Sequence, residues 1–191
     1  MGTHLFFVND SMAEEGLRIL VKNEIHELLE NHDAFARQIA NAKLANLSFN
    51  VYEHWENRER IQIILAERNQ FDSIQEAFSA IFKKELFVQE EWDASDEPDP
   101  TDEEWLTALK NIWINEYFPR DDPYEHVFIE LINDDFVNSF KRILFKVNAA
   151  EIIISGVNQL RAIRVKKGHL YEYIFGQTHS QYFLFQWAIC T

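Results

Sequence analysis

Cysteine is nearly absent, with Cys190 the only thiol among 191 residues. An internal disulfide is therefore impossible, and cysteine usage gives no hint of an oxidising compartment. Glycine is also scarce, at five residues, and none builds the phosphate-cradling loop that opens with Gly and closes on Gly-Lys-Ser/Thr. No Gly-x-Ser-x-Gly elbow occurs, so a nucleophilic serine lacks its usual setting. No apolar run approaches the roughly 20 residues of a membrane span. The start MGTHLFFVND carries only the short run LFFV, with no basic region before it, so no signal peptide is expected. The expected setting is the cytoplasm, without membrane contact.

Positive charge is missing most unevenly. The formal net charge is −14. Residues 1–84 carry 13 acids against 9 bases, residues 85–135 carry 17 against 2, and residues 136–191 carry 2 against 7. The middle third thus holds the whole imbalance, and its field repels phosphate backbones and anionic lipid. Direct nucleic-acid binding through this face is not expected, whereas a basic protein would be attracted.

What is abundant is apolar and aromatic surface, at 47% and 14% of residues, which suits a packed core in a chain of this length. The expected fold class is α+β in a single domain over 1–191, with helices over 1–147 and a C-terminal antiparallel β-meander over 150–190. Capping spacings precede helix-period stripes at Ser11 and Glu14, Asn50 and Glu53, Ser73 and Glu76, Thr101 and Glu104, and Asp122 and Glu125. The stripes include Ile74, Ala77, Phe78, Ile81 and Phe82, then Trp105, Leu109, Ile112 and Trp113, then Phe136, Val137, Phe140, Ile143, Leu144 and Val147. A weaker helix is expected over 33–46. From about residue 150 the segments EIIIS, LRAIRVKK, HLYEYIF and SQYFLFQWAI read as strands separated by Gly156, Gly168 and Gly176. In the last of them Gln181, Phe183, Phe185, Trp187 and Ile189 share one face, and Tyr182, Leu184, Gln186 and Ala188 the other. Both faces are expected to be largely covered.

The stretch QEEWDASDEPDPTDEEW, residues 89–105, sets nine carboxylates and no base between two tryptophans. Three uses are open: a solvated linker, a calcium loop and a docking surface. Asp93, Ser95, Glu97, Asp99, Thr101 and Glu104 have the spacing of an EF-hand loop, but Pro98 occupies the sharp turn that needs glycine. No calcium, other metal or cofactor is expected. As a solvated linker, the stretch would end on Thr101 as a helix cap, with Asp102, Glu103 and Glu104 in the first turn. As a docking surface, Glu90, Glu91, Trp92, Asp93, Asp96, Glu97 and Asp99 would imitate a phosphate run with a stacking ring. A basic toxin or nuclease recognises such a surface, and tryptophan is a favoured hot-spot residue. The charge and size resemble those of bacterial immunity proteins and antitoxins, which implies a non-enzymatic partner-binding role.

A second reading starts from RDDPYEH, residues 120–126. It resembles the short element of HEPN ribonucleases in which an arginine, a polar residue and four further positions lead to a histidine. The resemblance implies that Arg120 steadies scissile-phosphate charge and His126 handles protons. HEPN domains are helical throughout, whereas this chain ends in strands. HELLENH, residues 26–32, comes close to the zincin HExxH, but Glu30 stands where the second histidine belongs. The cluster Arg161, Arg164, Lys166 and Lys167 suits an anion or the acidic stretch.

Overall fold

The computed structural model describes residues 24–89, 97–118, 129–130, 134–147 and 161–190. The first described helix, α1, covers residues 24–30. Asn31 caps α2 (His32–Asn41) by accepting from the Ala34 amide at 3.1 Å. Strands β1 (Phe49–Glu56) and β2 (Glu59–Glu67) follow, then α3 (Ile74–Gln89). At the start of α3, Ser73 Oγ accepts from the Glu76 amide and Glu76 reaches back to the Asp72 amide, as the capping-box spacing implied. Next comes one continuous helical run made of α4 (Glu103–Ala108), a π-helical segment Leu109–Ile114 and α5 (Asn115–Tyr117). Short β3 (Ile129–Glu130), α6 (Asp134–Lys146), β4 (Arg161–Lys167), β5 (Tyr171–Gln177) and β6 (Gln181–Ile189) complete the described elements.

The fold is α+β, with central helices leading into a C-terminal antiparallel meander, β4-β5-β6. The six described strands join one sheet in the order β1-β2-β6-β5-β4-β3. Two expectations need correction. The Asn50 and Glu53 pair is no helix cap, because both lie within β1, and the helices expected over 1–147 are interrupted by the β1-β2 hairpin. The physical reason is that β2 reads IQIILA, buried on both faces and therefore a continuous apolar run rather than an alternating one. Its turn, Asn57-Arg58, takes φ of 49° and 70° without a glycine to announce it.

Each sheet face has its own helical cover. On one side Ile61, Ile63, Leu65, Ala162, Ile174, Phe183 and Phe185 pack against Phe140 and Leu144 of α6 and Val147 just beyond it. On the other, Ile64, Ala66, Ile163, Val165, Phe175, Tyr182 and Leu184 meet α1, α2, α3 and the residues Leu109, Ile114, Tyr117 and Phe118. Both faces of β6 are accordingly buried from Gln181 to Gln186, as its composition led one to expect. Gly176 allows this packing, since the Phe183 ring and the Arg161 carbonyl fill the space a Cβ would need. Phe35, Phe78, Phe82 and Phe118 stack and tilt against one another to form the helical side of the core.

Candidate functional site

Of the acidic stretch, Glu90, Glu91, Trp92, Asp93 and Asp96 lie outside the described residues. Glu97 turns inward and pairs with the ammonium of Lys83, leaving its side chain 16% exposed. Asp99 accepts from the amide and hydroxyl of Thr101, at 2.9 and 2.8 Å, and these bonds hold its carboxyl below the ordinary range. The cap of α4 is Asp102 rather than Thr101: its carboxylate takes the amides of Glu104 and Trp105 at 2.9 and 3.2 Å. Thr101 is already engaged by Asp99 one step earlier. Asp99, Asp102, Glu103 and Glu104 form an exposed acidic rim. Beside it runs a shallow depression lined by Glu103, Glu104, Thr107, Ala108, Asn111 and Ile112.

Ile112 was expected in the core and is instead 58% exposed. The π-helical segment explains this, because its i→i+5 bonding leaves the 3.6-residue phase and buries Leu109 and Ile114, five apart. The depression is therefore acidic with an apolar side chain at its edge. Nearby cations are already paired: Lys110 with Asp33 and Lys83 with Glu97. Within the basic cluster, Arg164 pairs with Glu172, and Lys166 donates to the Glu116 carbonyl at 3.0 Å.

Lys83 is 1% exposed. Its ammonium donates to the carbonyls of Ala40 and Ala42, at 3.1 and 2.7 Å, at the C-terminal end of α2. It also lies 5.5 Å from the centre of the Trp105 ring. Burial lowers its pKa, and Glu97 opposes that shift. Lys83 thereby fastens α2, α3 and the start of the helical run to one another.

Two residues along α3, Glu85 faces the opposite way and meets a polar band in the sheet. Glu53, Gln62, Gln186, Tyr173 and Lys166 are successive cross-strand neighbours on β1, β2, β6, β5 and β4. Gln62 and Glu85 are completely buried. Tyr117 Oη lies 3.3 Å from Glu85 Oε1 and 2.6 Å from Gln89 Oε1, and the Gln89 amide donates to the same Glu85 oxygen. The Gln186 amide faces this carboxyl without completing a hydrogen bond. Both polar atoms of Gln62, Gln186 Nε2 and Glu85 Oε2 have no hydrogen-bond partner. Burial pushes the Glu85 carboxyl up to about 7, against the pull of Gln186, Arg60, Tyr117 and Gln89. The Tyr117 and Tyr173 phenols are raised as well, first by burial and then by the Glu85 charge, and stay neutral. Toward solvent the band ends at Arg60, which bonds Glu53 at 2.7 Å and lies 5.5 Å over the Trp55 ring.

The remaining sequence candidates divide in the same way. Arg120 and His126 lie outside the described residues. His26 and Glu30 form a 3.5 Å pair on one helix face, while His32 is buried at the start of α2. Among the described residues no three His, Cys, Asp or Glu side chains are grouped to hold a metal, and no helix is long and apolar enough to cross a membrane. Sequence reasoning missed Lys83 and Glu85, although a glutamine inside each of the apolar runs IQIILA and FLFQWA was a signal of the band. No protein-family model matches the chain, and neither a curated protein nor a solved structure matches it.

Proposed function

We propose that this chain is an acidic protein-binding module that docks on a basic partner. Where that partner is a toxin or nuclease, docking covers the basic active surface, as an immunity protein or antitoxin does. The supporting observation is the exposed rim of Asp99, Asp102, Glu103 and Glu104 beside a depression edged by Ile112. An acidic rim steers a cationic surface into encounter, and an exposed apolar side chain within it supplies the desolvated contact that slows release. The preceding Glu90, Glu91, Trp92, Asp93 and Asp96 extend the same charge along the sequence. A cytoplasmic setting accords with the lone, exposed thiol of Cys190.

The test uses the partner isolated from the native host and identified, with association followed from low to physiological salt. Glu103→Gln with Glu104→Gln should slow association and flatten its salt dependence, while Ile112→Ser should speed dissociation. Unchanged kinetics in both variants would remove this face as the docking surface. Cleavage of single-stranded RNA that disappears in His126→Ala would replace the docking reading with a HEPN-like enzyme.

A further inference from the structure

The helical run Glu103–Tyr117 is fastened to α3 by polar anchors at both ends, and each anchor is a buried ionisable group. At its start, Lys83 holds Glu97 and lies over Trp105. At its finish, Glu85 receives Tyr117. Between them the π-helical segment Leu109–Ile114 departs from regular helix, a feature that often accompanies functional adjustment.

We propose that Glu85 is a proton-operated latch: as a neutral carboxyl it fastens α5 and the end of α3 onto the sheet, and as a carboxylate it releases them. The geometry gives the reason. Among the described residues the side chains in hydrogen-bond contact with Glu85 are neutral, namely Tyr117 from α5 and Gln89 from α3 itself. The facing sheet residues are Gln62 and Arg60 from β2, Gln186 from β6 and Tyr173 from β5. Arg60 is bonded to Glu53 of β1, and Glu116 lies close enough to act on both tyrosines. From β4, the Lys166 ammonium lies over the Tyr117, Tyr171 and Tyr173 rings and donates to the Glu116 carbonyl. Among the described residues no cation is bonded to Glu85, in contrast to the Glu97 that Lys83 holds.

A protonated Glu85 gains a donor of its own. The carboxyl oxygen Oε2 that would carry this proton has no hydrogen-bond partner, while the other carboxyl oxygen keeps Tyr117. Loss of the proton leaves a fully buried charge whose nearest described cation, Arg60, is bonded to Glu53, which favours any motion that lets water in. The movable members are the last turn of α3 and α5, because the sheet strands are held by their ladders. The pH of the change is the physiological one, since the carboxyl is raised to about 7. The latch goes beyond the docking reading and does not depend on it, although the same helical run carries the acidic rim.

Hydrogen exchange of the full chain, corrected for the intrinsic pH dependence of amides, tests the latch. Between about pH 5.5 and about pH 8.5, protection over 86–89 and 112–118 should fall about ten-fold in the wild type and stay level in Glu85→Gln. The same fall in Glu85→Gln, or no fall in the wild type, would overturn the proposal. Carboxyl 13C titration of the wild type supplies a second readout that requires no variant to fold. A Glu85 signal that titrates near neutrality supports the latch, and one that titrates in the ordinary glutamate range overturns it.

Discussion

On the Lys83 side of α3 a buried ammonium meets a carboxylate, two helix-end carbonyls and an indole ring. On the Glu85 side, two residues on, a buried carboxyl meets a phenol and amides, with its cation bonded elsewhere. At the first group a carboxylate opposes the lowering that burial imposes. The second becomes neutral near physiological pH because burial outweighs its hydrogen-bond partners. One helix thus shows both ways in which a fold accommodates an ionisable side chain in its interior: by a counter-ion, or by surrender of the charge.

The strongest way to break this comparison is to take the counter-ion from Lys83. Glu97→Gln should destabilise the protein by about 3 kcal/mol in denaturant titration, since it strands a buried cation. Lys83→Met combined with Glu97→Leu should restore most of that loss. If Glu97→Gln costs nothing, the Lys83 side does not depend on its counter-ion and the contrast fails.

Glu85 gives the next largest effect. Its folded pKa of about 7 is raised above the ordinary 4.5. The favourable contribution is therefore complete below about pH 4.5, declines as pH rises through 7 and is gone above it, a change of about 3 kcal/mol at the 1.36 kcal/mol carried by each pH unit. Glu85→Gln should match the wild type in stability near pH 5 and exceed it by about 2 to 3 kcal/mol near pH 8.5, as read from unfolding midpoints at the two pH values.

A smaller effect tests the band opposite Glu85. Gln62 is buried with both polar atoms unpartnered. Gln62→Leu should thus leave stability unchanged or raise it by about 1 kcal/mol, where a satisfied glutamine would show a loss. The smallest effect belongs to the rim. Glu103→Gln with Glu104→Gln should cost about 1 kcal/mol or less, the share of first-turn carboxylates in the helix dipole, whatever it does to partner binding.

Which of these features could be read from the residues alone depended on how local their causes are. The Ser73 and Glu76 cap, the α6 stripe through Phe140 and Leu144 and the two-sided burial of β6 rest on spacings within a few residues, and each stands as expected. The β1-β2 hairpin escaped notice because Asn57-Arg58 imitates a glycine turn without glycine, and because Asn50 and Glu53 have cap spacing in an unpaired reading. Ile112 was misplaced by the phase shift of a π-helical segment, which no apolar period encodes. Lys83 and Glu85 look like the solvated flank of an amphipathic helix. Only tertiary packing, with α2 on one side of α3 and the sheet on the other, makes them interior. Within the acidic stretch, charge density was legible, but the inward turn of Glu97 required knowledge of the buried lysine across from it.

The pairing of β2 with β6 inside the sheet has a kinetic consequence. Glu67 and Gln181 bond side chain to side chain across 114 positions, and Glu59 and Trp187 across 128. Closing so long a loop costs entropy before any contact repays it, and folds dominated by distant pairings form slowly. β6 also follows every other described element in the chain. During synthesis the β1-β2 hairpin therefore emerges early, with the apolar edge Ile61, Ile63 and Leu65 awaiting a partner made later. That interval is when association with other nascent chains competes with folding, so the yield of this protein should depend on how quickly β6 arrives.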